Sequence, residues 1–178
     1  MKLGGYINFY AYALLENHFH FAISICSEEE IIRQIKSIPI KNRKKTETTF
    51  LEVASGSRDL HKLIATQWSR VFNSYTQAIN KKYNRKGNLF HTPFKRSVIN
   101  YETKFTYLIY YIHHNRRKHG GVKDFLSDPW HSYHELVRET KTFLDRQFII
   151  EWFGDLEAFI KFHKEKHLHK DFDEVWIE

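Results

Sequence analysis

The sequence predicts an α+β fold in which an antiparallel sheet is covered on one face by helices and followed by a helical C-terminal tail. Strand-type runs rich in aromatic and β-branched residues open the chain, two long helical stripes follow, and short helical segments close it. The 178 residues suit one domain with an appendage. We place the domain at residues 1–133 and the helical appendage at 134–178.

Two strands are expected near the N-terminus. Residues 5–15 are rich in Tyr, Ile and Phe, and residues 18–25 alternate strictly between the two faces of a strand. Phe and Ile occupy one face, which we expect to be buried, while His18 and His20 project from the opposite, open face. The Glu-Asn pair at 16–17 suits a tight turn, so the two strands are predicted to form a hairpin.

The elements after the hairpin are predicted from helix caps, apolar stripes and breaker residues. Ser27, with a glutamate three residues later, is a capping-box pattern that opens a helix. The predicted order is a helix over 27–36, a polar loop over 39–58, a helix over 59–83, a turn over 84–88, a strand over 89–99, a helix over 102–118 and short helices near 132–143, 146–153 and 155–168.

The helix predicted over 102–118 carries polar groups along one flank. Its core stripe, at helical spacing, comprises Phe105, Leu108, Ile109 and Ile112. At about 100° per residue, Tyr111 lies about 110° from the centre of that stripe, and Asn115 lies one turn further on along the same flank. Lys104 shares this flank, which therefore offers a phenol, an amide and an ammonium together. The alternative is that Tyr111 only covers the edge of the core with its ring.

Composition and charge exclude some classes of protein. No apolar stretch approaches the ~20 residues that span a bilayer, the N-terminus has no signal-peptide core, and Cys26, the single cysteine, cannot form an intramolecular disulfide. The net charge of +7 is uneven: residues 1–120 carry 20 Lys/Arg against 8 Asp/Glu, and residues 121–178 carry 8 against 13. The first two thirds are expected to bind a polyanion, the alternative being a solvated basic surface.

The paired histidines suggest a metal. Side chains at i and i+2 of a strand lie side by side, so His18 and His20 can ligate one ion. Neutral imidazoles are good ligands for divalent transition metals, although two ligands do not complete a site. The alternative is a pair of solvated histidines. Near the C-terminus, His163 and His167 form an i, i+4 pair, for which we expect an exposed helix end rather than a metal site.

Four motifs resemble one family, in matching order and spacing. ENHFHF is similar to the histidine–hydrophobe–histidine motif of HUH nucleases, and SYTQAINKKYNRKGNLFHTPFKRSVI resembles a helix-turn-strand segment of single-tyrosine HUH transposases, particularly the REP-associated tyrosine transposases. YIHHN resembles their nucleophile motif, a tyrosine followed four residues later by Asn or Gln, and DPWHSYHEL resembles the Trp-Ser-Ser-Tyr element after it. The resemblance runs from about Tyr10 to Tyr133 and implies an HUH/RRM-like, ferredoxin-like plan.

The resemblance implies a role for each residue of the set. His18 and His20 would be metal ligands, Asn115 would be the third protein ligand or would orient the metal-bound phosphate, and Tyr111 would be the nucleophile. The cofactor would be Mg²⁺ or Mn²⁺, and the substrate would be single-stranded DNA beside an imperfect hairpin. Attack by Tyr111 would leave a 5′-phosphotyrosine and a free 3′-hydroxyl. No general base is evident beside Tyr111 in the sequence, and we hypothesise, apart from the resemblance, that Lys104 favours the phenolate electrostatically.

Basic residues near these groups are candidates for phosphate contacts. We expect DNA-binding roles for Lys81, Lys82, Arg85, Lys86, Lys95, Arg96, Lys104, Arg116, Arg117 and Lys118. Tyr83 could stack on an exposed base, whereas Phe90 and Phe94 are better explained as core residues.

Two features depart from the family pattern. Family members usually have Asn-Pro where this chain has Asn115-Arg116, so the helix is expected to run longer here. They also begin with a further strand beside the histidine strand, and its absence would leave an unpaired edge. A partner chain or another segment would fill the gap, the sheet would rearrange, or the protein is a shortened remnant. A self-associating edge would favour a homodimer, although REP-associated members are often monomers.

Three functional hypotheses result. The leading one is a single-stranded-DNA endonuclease and strand transferase, a transposase acting at the nucleoid in the cytoplasm of a prokaryote. The alternative is a non-catalytic binder of DNA or RNA hairpins, descended from such an enzyme and acting as a regulator. A metal-dependent hydrolase of small molecules leaves the uneven charge unexplained.

Overall fold

The computed structural model describes residues 5–53, 59–90, 95–100, 102–118 and 121–165, without the side chain of Lys118. The chain forms two compact units. The first comprises Met1–Ile7 and Ile25–Phe94, and the second comprises Asn8–Ser24 and Lys95–Glu178. Among the described residues, no helix is both long and apolar enough to cross a bilayer.

The first unit is helical. Helix α1 spans Glu28–Ser37, a short 3₁₀ turn spans Ile40–Asn42, α2 spans Lys45–Glu52 and α3 spans Leu60–Lys82. The serine cap of the predicted capping box is present, because the hydroxyl of Ser27 accepts a hydrogen bond from the Glu30 N–H at 3.2 Å. Helix α1 packs against α2, and α2 packs against α3.

Helix α2 shows that the loop prediction for 39–58 is wrong over its central part. Glu47, in the first turn of α2, caps the N-terminus of this helix, because its carboxylate accepts the Lys44 N–H at 2.8 Å. The same side chain is 3% exposed and also accepts a hydrogen bond from Gln67 of α3. Phe50 is buried beside it. One buried ring and one buried carboxylate are too few to give a visible helical stripe in a polar run.

The segment after α3 differs from the predicted strand. The turn at 84–88 is present, with Asn84 at φ 47° and Gly87 at φ 91°, the left-handed region that asparagine and glycine tolerate best. Residues 89–90 form a bend and residues 95–99 are irregular. The strand predicted over 89–99 is therefore wrong for these residues, and its remaining part, 91–94, lies outside the described residues.

The second unit holds a β-hairpin and the remaining helices. Strands β1, Ile7–Leu14, and β2, Phe19–Ile25, form an antiparallel two-stranded sheet whose outermost residues, Ile7 and Ile25, belong to the first unit. The helices are α4, Glu102–Lys118; α5, Tyr133–Val137; α6, Arg146–Trp152; and α7, Leu156–Lys164. The α+β prediction is confirmed. Helices α5 to α7 lie in the same unit as the hairpin, and the domain boundary after residue 133 stays a prediction.

The helices cover the opposite face of β2 from the one expected. Ile23 and Ile25, on the face predicted to be buried, are 37% and 47% exposed, whereas Ala22, on the histidine face, is 3% exposed. Tyr10 of β1 shares the histidine face, since its hydroxyl bonds to Ser24 at 2.7 Å, and its ring lies 5.5 Å from Phe105 of α4. The aromatic rings of β1 and α4 decide which face is buried, and alternation within β2 alone carries no such information.

A neighbour for the sheet comes from the C-terminal half of the chain. Ala13 forms an antiparallel bridge with His131, and the Leu14 N–H donates to the Trp130 carbonyl at 2.7 Å. This segment lines the outer edge of β1. Among the described residues, β2 pairs with β1 alone.

Candidate active site

The hairpin and α4 bring the two motif histidines and the motif tyrosine together within the second unit. The ring centroids of His18 and His20 are 5.1 Å apart. The rings of His20 and Tyr111 are 5.7 Å apart and nearly perpendicular, with an interplanar angle of 80°. His18 is exposed at the end of the strand, while His20 and Tyr111 are half-buried. His18, which directly precedes β2, His20 of β2 and Tyr111 of α4 thus lie close together where the core meets solvent.

Tyr111 is held there by the packing of its helix. Leu108, Ile109 and Ile112 are buried in the core, as the sequence predicts, and Tyr111 packs against the edge of the same cluster. Tyr111 therefore lies on a flank beside the core stripe, a placement that agrees both with a nucleophile and with the alternative of a ring that covers the edge of the core. Tyr110 points its ring elsewhere, stacked on His114 at 3.9 Å, and its hydroxyl donates to the Glu165 carbonyl at 3.3 Å.

Asn115 is the most unusual polar residue of this flank. It lies one turn after Tyr111, its side chain is 0% exposed, and neither its amide oxygen nor its amide nitrogen has a hydrogen-bond partner among the described residues. A buried amide left unpaired costs about 1–3 kcal/mol. A group that carries this cost is well suited to a ligand that satisfies it, such as a cation on the oxygen.

The donor set fits the divalent ions that the resemblance implies. The His18 Nδ1–H donates to Asn17 Oδ1 at 2.6 Å, which leaves the lone pair of the neutral ring on Nε2. An amide oxygen suits Mg²⁺ and Mn²⁺, whereas the two imidazole nitrogens by themselves also accept softer divalent ions. Within the described ranges, His, Cys, Asp and Glu side chains form no group of three or more that could hold a metal. Asn115 stays the third protein ligand that the resemblance implies.

The basic residues predicted to bind DNA are largely exposed. Lys81, Lys82, Arg85 and Lys86 are exposed at the end of α3 in the first unit, and Lys95, Arg96 and Arg117 are exposed in the second. Tyr83 is 62% exposed, with the Lys82 ammonium 5.2 Å from its ring centroid. Phe90 instead packs against Phe72, in agreement with a core role. Phe94 lies outside the described residues.

The remaining basic candidates lie on α4. Lys104 and Arg116 are half-buried. The Arg116 Nε lies 3.7 Å from the carboxylate of Asp128, which is 1% exposed. This pairing offsets part of the charge that Arg116 could offer to a phosphate. The side chain of Lys118 lies outside the described residues.

A cluster of buried histidines, contributed by α4, α7 and the segment before α5, is a feature that the sequence did not predict. His113, His131 and His163 are each at most 2% exposed. The prediction of an exposed helix end is therefore wrong for His163, which α7 places in the core. His167 lies outside the described residues. The available signal was the density of histidines in YIHHN and DPWHSYHEL, but density alone does not separate ligands from core residues.

Comparison with known proteins gives no relative to set beside this geometry. No family model, no curated protein and no solved structure matches the chain. The proposals below therefore depend on the residues and on the resemblance of the four motifs.

Proposed function

We propose that the protein is a metal-dependent endonuclease and strand transferase that acts on single-stranded DNA beside a hairpin, through a covalent bond to Tyr111. The observation that carries the proposal is the 5.7 Å approach of the Tyr111 ring to His20, which is itself 5.1 Å from His18. The unpaired amide of Asn115, one turn along α4, supports it. The proposed setting is the prokaryotic nucleoid, with the protein as a monomer or a homodimer.

His18, His20 and Asn115 would hold Mg²⁺ or Mn²⁺. When bound, this ion would polarise the scissile phosphate and stabilise the charge that develops on it. The basic residues would hold the flanking phosphates and fix the strand in register.

The reaction assigned to Tyr111 is a transesterification. Its phenol loses a proton to solvent, and the phenolate oxygen attacks the phosphorus. A bond forms between that oxygen and phosphorus, the bond to the 3′-oxygen breaks, and the 3′-oxygen leaves as a hydroxyl after taking a proton. The 5′-phosphotyrosine conserves the ester bond, so another 3′-hydroxyl can reverse the step and join strands without ATP.

The experiment uses oligonucleotides with an imperfect hairpin, flanked by randomised single-stranded tetranucleotides and labelled on the 3′ side. Incubation with wild-type protein and Mn²⁺ should give an SDS-resistant protein–DNA band. Tyr111→Phe should abolish the band. Tyr110→Phe is the matched control, because Tyr110 faces His114 and should leave the band unchanged.

The other outcomes decide between the hypotheses. Specific retention of the hairpin by wild-type protein without any covalent band would support the non-catalytic binder. A band of equal intensity in Tyr111→Phe would reject Tyr111 as the nucleophile. Absence of both retention and the covalent band would contradict both nucleic-acid hypotheses.

A further inference from the structure

A continuous set of hydrogen bonds runs through the buried histidine cluster. The Ser132 hydroxyl lies 2.9 Å from His113 Nε2, and His113 Nδ1 lies 2.9 Å from His163 Nε2. His163 Nδ1 lies 2.8 Å from the Phe159 carbonyl, and the Ser132 oxygen accepts the Tyr12 N–H at 2.9 Å. We call this set the Ser132–His113–His163 network.

The direction of each hydrogen bond follows from the carbonyl at its end. Since the Phe159 carbonyl can only accept, His163 must carry its proton on Nδ1, and its neutral Nε2 then accepts from His113. His113 therefore also carries its proton on Nδ1, and its Nε2 accepts the Ser132 hydroxyl proton. With both rings in this neutral form, every donor in the network has an acceptor.

The network cannot itself act on a substrate. Ser132 and His163 are 0% exposed and His113 is 1% exposed, so no phosphate could reach the serine oxygen. Ser132 also sits at the N-cap of α5 without capping it through its side chain, although capping is the usual use of a serine there. Its hydroxyl is committed to His113, which points to a role in holding elements together.

The network joins α4, which carries Tyr111 and Asn115, to two other parts of the second unit. Ser132 follows the segment paired with β1, His113 lies on α4, and His163 lies on α7. At about 100° per residue, His113 is about 160° around α4 from both Tyr111 and Asn115. A helix fixed at its back in this way cannot rotate about its axis, so the direction of the opposite flank is fixed as well.

The surroundings of His113 keep the network in its neutral form. Burial lowers the pKa of His113 well below its ordinary value, and neighbouring imidazoles add to the effect: His163 of α7, His131 and His134 of the α5 region, and His114 of α4. Among the described residues, the charged groups that act on it are all imidazoles. A proton on His113 Nε2 would also leave the Ser132 hydroxyl without its acceptor.

We propose that His113, held between Ser132 and His163, is a positioning residue that fixes the rotation of α4 so that the Tyr111 ring stays against His20. The proposal rests on the proposed function, because it assigns the network to the accuracy of the tyrosine attack. A displacement of reacting groups by about 1 Å can cost about 100-fold in rate. The network should therefore act on the rate of covalent attack and leave DNA affinity nearly unchanged.

Two variants of one residue form the test. His163→Leu removes the acceptor of the His113 Nδ1–H, whereas His163→Gln keeps an amide oxygen at a similar reach. The hairpin oligonucleotides and Mn²⁺ are used in single-turnover reactions, well below the lowest thermal midpoint of the set. We expect adduct formation to slow by about 100-fold in His163→Leu, to recover substantially in His163→Gln, and the Kd for the oligonucleotide to stay within about twofold.

A second variant covers the case in which His163→Leu does not fold. Ser132→Ala breaks the network at its other end and should slow the adduct in the same way, while Tyr12→Phe removes only the hydroxyl that donates to Glu135 and should leave the rate unchanged. Variants that lower the thermal midpoint without changing the rate would overturn the positioning role. Absence of adduct in the wild-type protein would instead overturn the proposed function, and the two failures are thus distinguishable.

Discussion

The rings of His20 on β2 and Tyr111 on α4 lie 5.7 Å apart at an angle of 80°, although 91 positions separate the two residues in the sequence. The ring of His18 lies 5.1 Å from that of His20. A tyrosine nucleophile that is assisted by a histidine-bound cation must lie close to the histidines, and the distance between His20 and Tyr111 meets this requirement. This arrangement also makes the contribution of each group separately measurable.

We expect the unpaired amide of Asn115 to lower the stability of the metal-free protein and to be needed for formation of the DNA adduct. Asn115→Leu replaces an unpaired buried amide by an apolar group of similar size, so we expect the metal-free protein to gain about 1–3 kcal/mol in the free energy of unfolding. The same variant should lose the covalent DNA adduct. Urea denaturation without metal measures the first effect, with Asn100→Leu, an exposed position, as the control that should change little. A loss of stability in Asn115→Leu would show that the amide has a partner in the native protein.

Mn²⁺ should stabilise the protein through the histidine pair. A ligand at 100 times its Kd stabilises a protein that it binds only when folded by about 2.7 kcal/mol. We expect such a rise in the free energy of unfolding for wild-type protein, and none for His20→Ala. His61→Ala changes an exposed histidine of the first unit and should keep the full effect. An equal effect of Mn²⁺ in His20→Ala would place the metal elsewhere.

Acid should destabilise the second unit before carboxylates titrate. Burial lowers the pKa of His113 and of His131, and lowers that of His114 to about 4. An unfolded histidine titrates near pH 6.5, so below that pH the unfolded chain binds more protons than the folded one. The stability contributed by each neutral ring is complete above about pH 6.5 and is lost as the pH falls, by up to about 1.4 kcal/mol per pH unit.

His114 supplies the matched variant for this dependence. Its ring packs on Tyr110 and Phe125, so His114→Phe keeps an aromatic group while removing one titrating site. Urea denaturation between pH 6.5 and 5 should give a slope that is smaller than that of the wild type by up to about 1.4 kcal/mol per pH unit, the full difference being reached towards pH 5. Equal slopes would mean that His114 is protonated in the folded protein.

The tautomers of the buried histidines can be tested by NMR without any assumption about activity. His113 and His163 should each carry the proton on Nδ1. His131 should carry it on Nε2, since Nε2 donates to the Phe125 carbonyl at 2.8 Å while Nδ1 accepts the Tyr133 N–H at 3.3 Å. Long-range ¹H–¹⁵N correlations of the imidazole rings distinguish the two forms. An Nε2–H tautomer for His113 would reverse the direction of the network.

The sequence predicts the parts of this fold that local rules determine. The apolar stripe of α4 and the serine cap of α1 follow from helical spacing and capping chemistry, and the structure has both. Which face of β2 is buried could not be predicted from β2 itself, because the choice depends on aromatic rings that β1 and α4 contribute. The position of His163 was equally hidden, since its neighbours His113 and Ser132 lie 50 and 31 residues away in the sequence.

The candidate site likewise combines local features, which the sequence predicts, with tertiary contacts, which it does not. The pairing of His18 with His20 is local and follows from strand geometry, and the shared flank of Tyr111 and Asn115 is local and follows from helical geometry. Their meeting is a tertiary contact, for which the resemblance of the motifs was the available guide. Only the structure shows that Asn115 is buried and that its amide has no hydrogen-bond partner in the described part of the chain.

The exposed basic residues at the end of α3 should set the salt dependence of DNA binding. Replacing Lys81, Lys82, Arg85 and Lys86 by glutamine should reduce the slope of log K against log salt by up to about 2.8, because each contact with a single-stranded phosphate contributes about 0.7. The matched control replaces Lys36, Lys41, Lys45 and Lys62, which are exposed in the same unit and carry the same total charge. Fluorescence anisotropy with the hairpin oligonucleotides across a salt series measures both slopes. Equal slopes in the two variants would mean that net charge, and not the end of α3, governs binding.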